Sequence, residues 1–149
     1  MAKYGCEFNR TASTTAALGS IGADATRPRR GKIYDLIFGS EASPADNAFR
    51  YILQRCTALG TSTAVTPRPL DPADAATEAD AGENHTVEPT FTANEIVLAV
   101  ALNQRATFRW VAAPGGELVY PATASNGLGI QTPTASAVAI TSTVFFEEQ

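Results

Sequence analysis

The chain has 149 residues, 44% of them hydrophobic and 17% charged, and a formal net charge of -4. This length suits one domain rather than two with separate cores, and no stretch is long and apolar enough to cross a membrane as a helix. Nine Lys or Arg stand against five Asp or Glu in residues 1–70, and two against ten in residues 71–149, an imbalance that argues against general nucleic-acid binding, which needs a broad basic face.

That polarity has two readings, a subunit meeting complementary neighbours or plain unevenness. The opening "MAKYGCEFNRTAST" holds no apolar run for a signal peptide, so the expected compartment is cytosol-like. Cys6 and Cys56 stand in no metal or redox spacing, and the expectation is two unpaired thiols.

Residues 1–31 read as an extended N-terminal arm, because "RTASTTAALGSIGADATRPRRG" is small and polar, with Gly and Pro but almost no apolar periodicity. Such a segment is expected to be ordered only along a partner's sheet edge. Deleting Ala2 to Thr26 is then expected to leave the unfolding of a domain at 32–149 nearly unchanged. The arm ends in "RPRRGK", four cations in six residues that can meet water, an acidic partner or phosphate. Arg27, Arg29 and Arg30 are the candidate partner-binding residues.

"KIYDLIFG" reads as a strand closed by Gly39. In the following "SEASPADNAFRYILQRCTALG" two readings compete. Ser43 as N-cap, Pro44 in the first turn, and Phe49, Ile52, Leu53, Cys56 and Leu59 at helical spacing favour a helix. The alternation of Phe49, Tyr51 and Leu53 among β-favouring residues favours a strand. The reading taken is one helical turn over Pro44–Asn47, then a strand. "TPRPLDPADAATEADAGENHTVEP" reads as an exposed acidic connection with a short helix, capped by Asp71 with Pro72 at its first position. Its six acids between Asp71 and Glu88 face no cation along the chain, which fits a partner-facing or solvated loop.

The remainder reads as β. In "EIVLAVALN", Ile96, Leu98, Val100 and Leu102 share one face, and Val97, Ala99 and Ala101 form a second face that is small rather than polar and needs a cover. "NQRATFRWVAAPGGELVYP" reads as a hairpin, with Phe108 and Trp110 inward, Arg105 and Arg109 outward, and "APGGE" as its turn. After the loop "ATASNGLGIQTPTAS", the closing "AVAITSTVFFEEQ" alternates Val138, Ile140, Val144 and Phe146. The expected fold is all-β, an antiparallel β-sandwich of jelly-roll topology with the extended arm and the short helix in the acidic loop.

No catalytic constellation or metal-ligand spacing stands out. His85, between Glu83 and Glu88, has no second histidine to share a metal and reads as a surface-loop residue. Neither cysteine has a positioned base, and no serine sits in a nucleophile elbow. The glycines of "ASNGLG" have no accompanying lysine and read as turn glycines. No cofactor, metal, nucleic acid or membrane is therefore expected as a partner.

At "VTPRPLDPADAATEADAGENHT" and "LNQRATFRWVAAPGGELVYPATASNGLGI", and in the closing "TSTVFFEE", the chain resembles small virion proteins of tailed bacteriophages, the head decoration or cement proteins built on a jelly roll. The resemblance runs from about Lys32 to Glu148. It implies a non-enzymatic structural protein made in the host bacterial cytoplasm and carried on the capsid surface, where it bridges neighbouring copies of the major capsid protein. It also implies trimers, and a homotrimer is what would cover Val97, Ala99 and Ala101. The alternatives are a tail or neck accessory protein, and a carbohydrate-binding jelly roll using Trp110, Tyr120 and loop residues near Asn126.

Overall fold

Twelve strands and no helix make up the regular structure of residues 1–11, 17–133 and 138–149, the part of the chain that the computed structural model describes. In chain order they are β1 (Lys3–Thr11), β2 (Gly19–Ala23), β3 (Gly31–Ala42), β4 (Ala48–Cys56), β5 (Thr61–Ala64), β6 (Arg68–Pro69), β7 (Ala79–Val87), β8 (Phe91–Asn103), β9 (Phe108–Val111), β10 (Leu118–Tyr120), β11 (Gly127–Gln131) and β12 (Ala139–Glu148). They form two antiparallel sheets. One runs β6-β1-β12-β3, with β9 and β10 both on the outer edge of β3; the other runs β5-β7-β2-β11-β4-β8.

The period-2 patterns account for the layering. Ile140, Val144 and Phe146 on β12, Tyr4, Cys6 and Phe8 on β1, and Ile33, Leu36 and Phe38 on β3 face inward from the first sheet. Ile21, Tyr51, Leu53, Leu128 and Ile130 meet them from the second. Phe38 stacks on Tyr51 between the layers with ring centroids 4.6 Å apart. Each large side chain so buried contributes roughly 1.5–3 kcal/mol relative to leaving it exposed.

Several expectations are corrected. The extended arm over 1–31 is instead part of the sandwich. β1 lies between β12 and β6, β2 lies between β11 and β7, and Phe8, Leu18 and Ile21 are core residues. Neighbouring strands on both sides hydrogen-bond this backbone, a contribution that the arm's weak apolar pattern does not announce. The part of the arm at 12–16, and positions 134–137 before β12, lie outside the described residues.

No helical turn forms over Pro44–Asn47. Ser43 has a left-handed φ of 50°, and the N–H of Ala45 donates to Gln104 Oε1 at 2.9 Å. Residues 48–56 are the strand expected, paired with β11 on one side and β8 on the other. The acidic connection has no short helix either. Asp71 makes the cap, with the N–H of Ala73 at 2.9 Å from Oδ1, but the chain closes a single turn and leaves. Past that turn the segment is β7, a strand of the second sheet rather than a loop.

"FRWV" and "LVY" do not pair as a hairpin. Both lie antiparallel to β3, Phe108–Val111 against Phe38–Asp35 and Leu118–Tyr120 against Ile33–Gly31, so they form one edge interrupted by residues 112–117. Phe108 and Trp110 pack on the core margin as expected, and Arg109 lies outward over Asp35.

The glycines of "ASNGLG" have a packing role. Gly127 and Gly129 lie within β11 and pair with Gly22 and Ser20 of β2, on the outer side of the second sheet. The absence of side chains there lets the chain fold back over the sheet. A Cβ on Gly127 would come within 2.6 Å of the Leu59 side chain, and one on Gly129 within 2.5 Å of the Phe91 ring. The covering segments hold each other, with Thr57 N–H to Thr90 O and Thr90 N–H to Ala58 O, both 2.9 Å.

Candidate interaction surface

The three candidate arginines fall in the β2–β3 connection, at one end of the sandwich. Asp24 shapes this loop, because its Oδ1 accepts the N–H of Thr26 (2.8 Å), the Thr26 hydroxyl (2.7 Å) and the N–H of Arg27 (2.6 Å). Those hydrogen bonds hold its carboxyl below the usual range. Arg27 ion-pairs with Glu78 at 2.6 Å while its side chain remains 71% exposed, so the pair is worth little in stability. Arg29 and Arg30 are exposed and have no ion pair among the described residues. The chain end past β12 braces the loop, since Gln149 N–H donates to Arg30 O at 2.9 Å; Glu148 holds the neighbouring connection before β7, accepting from Thr77 Oγ1 at 2.8 Å beside the Glu78 that pairs with Arg27.

Several of the acids expected to face no cation have partners within the fold. Besides the Glu78–Arg27 pair, Glu83 Oε2 accepts the N–H of Asn9 (2.7 Å) and Glu88 Oε2 accepts the N–H of Ala17 (2.6 Å). Two acidic side chains of the later half thus satisfy backbone donors of the first, which is one structural use of the chain's charge polarity.

His85 is the largest departure from the sequence reading. It is buried, with Nε2 at 2.9 Å from Ser20 Oγ and 3.2 Å from Leu59 O, and Ser20 Oγ also donates to Leu59 O at 3.3 Å. Asn84, at φ 51°, breaks the alternation of β7 and brings His85 to the side of Ser20. A period-2 reading does not foresee that break. Chemically, a serine nucleophile needs an accessible hydroxyl and a base whose other ring nitrogen is oriented. Here Ser20 is 1% exposed and His85 Nδ1 has no hydrogen-bond partner, so this geometry serves to fasten the Leu59 loop.

Burial lowers the pKa of His85 below the ordinary imidazole range, with Glu88 pulling the other way. The unfolded chain takes up the proton near pH ~6.5 and the folded chain only at lower pH. Stability held by the neutral ring is therefore complete above about pH 6.5 and lost as pH falls from there, by up to about 1.4 kcal/mol per unit. Denaturation between about pH 7.5 and about pH 5, above the ordinary carboxylate range, is expected to show this decline in the native chain and a flatter profile in His85→Gln. Equal slopes in the two proteins would rule it out.

Asp35 on β3 is buried and grips Arg109 of β9 through two oxygens, with Nε at 3.0 Å from Oδ1, and this hydrogen bonding keeps its carboxyl low. The sequence reading placed Arg109 outward but did not find its partner, since nothing in "KIYDLIFG" indicates that β9 will lie beside Asp35. Arg55 reaches from β4 to Val119 O at 2.6 Å and pairs with Glu95 at 3.2 Å, joining the two sheets.

Of the aromatic residues considered for sugar stacking, Trp110 is half-buried and Tyr120 is fully buried, its ring lying over Gly31. Cys6 and Cys56 are free and buried, with burial pushing their thiols up to about 12 and about 11. No group of three or more His, Cys, Asp or Glu that could hold a metal occurs among the described residues. The chain matches no protein-family model, no curated protein and no solved structure.

Proposed function

We propose that this protein is a non-enzymatic structural component of a phage particle, a jelly-roll decoration protein that binds the assembled major capsid protein and bridges neighbouring subunits. The observation that carries the reading is the strand order. The path β1-β12-β3-β9/β10 facing β2-β11-β4-β8 supports a jelly-roll reading, in which β5, β6 and β7 are inserted between the fourth and fifth of eight strands. This is the frame that the resemblance in the turn phrases and closing strand implies.

The surface offered to the capsid is the β2–β3 loop. Arg29 and Arg30 stand exposed on a backbone already ordered by Asp24 and by the chain end past β12, so a partner carboxylate meets cations with little loop entropy left to lose. The protein is made in the host bacterial cytoplasm and ends on the capsid surface in this reading. Self-association belongs to it, since Ala99 and Ala101, whose cover motivated the expected homotrimer, are exposed on β8.

Purified particles test the proposal. The protein should be present in many copies spread over the head, and Arg29→Glu with Arg30→Glu should weaken binding to undecorated heads by at least about tenfold, of the order expected for losing a charge-assisted contact at an interface. A few copies confined to the neck or tail would assign it to an accessory structure instead. The carbohydrate reading loses Tyr120, one of its two aromatic platforms, to burial.

A further inference from the structure

The two sheets have four edges, and three of them are guarded against strand addition. β5 is four residues long and its pairing with β7 shifts register between Thr61 and Thr63. β6 is Arg68–Pro69, with Pro67 before it, so it offers almost no run of donors. The edge formed by β9 and β10 is interrupted by residues 112–117, which include Pro114, and is ended by Pro121. Short strands, bulges and prolines are the usual means by which edges are kept from pairing.

β8 has none of these over its second half. It is thirteen residues long and contains no Pro, Lys or Arg; its one acid, Glu95, is in an ion pair with Arg55. Its register shifts lie towards the start of the strand, and from Leu98 to Asn103 it pairs with β4 without a break. Only β4 flanks it. On this stretch Leu98, Val100 and Leu102, opposite the core residues Leu53, Tyr51 and Phe49, are half-buried at the open margin of the core, and Ala99 and Ala101 are exposed on the other face.

We infer that β8 is a self-association edge, pairing antiparallel with β8 of a second copy about a twofold axis at Val100. The other edges of the molecule cannot supply an uninterrupted strand, whereas a second β8 can, and a twofold needs only that one self-complementary surface. With the axis at Val100, Leu98 meets Leu102 of the other copy and Ala99 meets Ala101, so the core row continues across the junction. The same symmetry sets Glu95 and Arg105, opposite in charge, beyond the two ends of the paired stretch, and no like charges face one another. This pair does not depend on the decoration reading, and it sets the unit at two chains rather than the three expected from the sequence.

The register gives a test that leaves the fold alone, because Ala99 and Ala101 are exposed. The native chain should show the mass of two chains in light scattering. Ala99→Lys with Ala101→Lys, which sets lysines against lysines, should run as one chain with an unchanged circular dichroism spectrum. Ala99→Lys with Ala101→Glu sets opposite charges across the axis and should restore the pair. A native mass of one or of three chains would overturn the inference, as would a double-lysine variant that stays paired or a Lys/Glu variant that stays single.

Discussion

Deleting Ala2 to Thr26 is expected to abolish folding rather than to free a stable domain. The deletion takes out β1, an interior strand of the first sheet, and β2, an interior strand of the second. It leaves β12 and β11 each without a partner on one side and removes Tyr4, Phe8, Leu18 and Ile21 from the core. Losing a single large core side chain costs about 2–5 kcal/mol, against a total stability of about 5–15 kcal/mol for a domain. Four such losses together with two strands exceed what a domain can absorb. Cooperative thermal unfolding of the truncated chain, close to that of the full chain, would show that residues 1–26 are dispensable and that the sandwich described here is wrong at its centre.

Gly127→Ala is expected to be among the most damaging single-methyl changes in the protein. The added Cβ would lie 2.3 Å from the carbonyl oxygen of Ile21, 2.6 Å from the Leu59 side chain and 2.9 Å from the Cα of Gly22. Leu59 can move, but the two backbone atoms belong to the strand that pairs with Gly127, so relief requires β2 and β11 to separate. Overpacking a core commonly costs about 1–3 kcal/mol, and a backbone clash inside a sheet belongs at or above the upper end, about 3 kcal/mol or more. Gly39→Ala is the control, since its nearest neighbour is Thr107 at 3.4 Å. It should change stability by no more than about 1 kcal/mol. Urea denaturation of both variants decides the matter, and similar midpoints for the two would refute the close approach of the covering layer to β11.

The two predictions show where local pattern and tertiary structure part. Alternation was readable wherever one side of a strand faces the core and the other does not. Ile140, Val144 and Phe146 face inward from β12 as expected, and Phe49, Tyr51 and Leu53 mark a strand even though a cap-like Ser43-Pro44 sequence precedes them. The all-β class, the two-layer sandwich and the strand at "KIYDLIFG" follow from such patterns, because period 2 is a property of neighbouring residues alone.

The positions the sequence reading missed depend on what lies alongside. β2 is buried on both faces, inside by the core and outside by the Leu59 loop, so it has no alternation to read. "FRWV" and "LVY" follow one another along β3 because that edge accepts both, and a turn phrase between them cannot exclude it. His85 is buried because Asn84 breaks the strand's alternation and the Leu59 carbonyl arrives from another segment. The exposed arginines were legible as a cluster, while the bracing that holds them at the end of the sandwich comes from Asp24 nearby and from Gln149 at the far end of the chain. The sequence by itself determined which residues are apolar, small or charged and with what period. Only the tertiary structure decided which strands became edges and which polar groups found partners, because those outcomes depend on contacts between residues far apart in the chain.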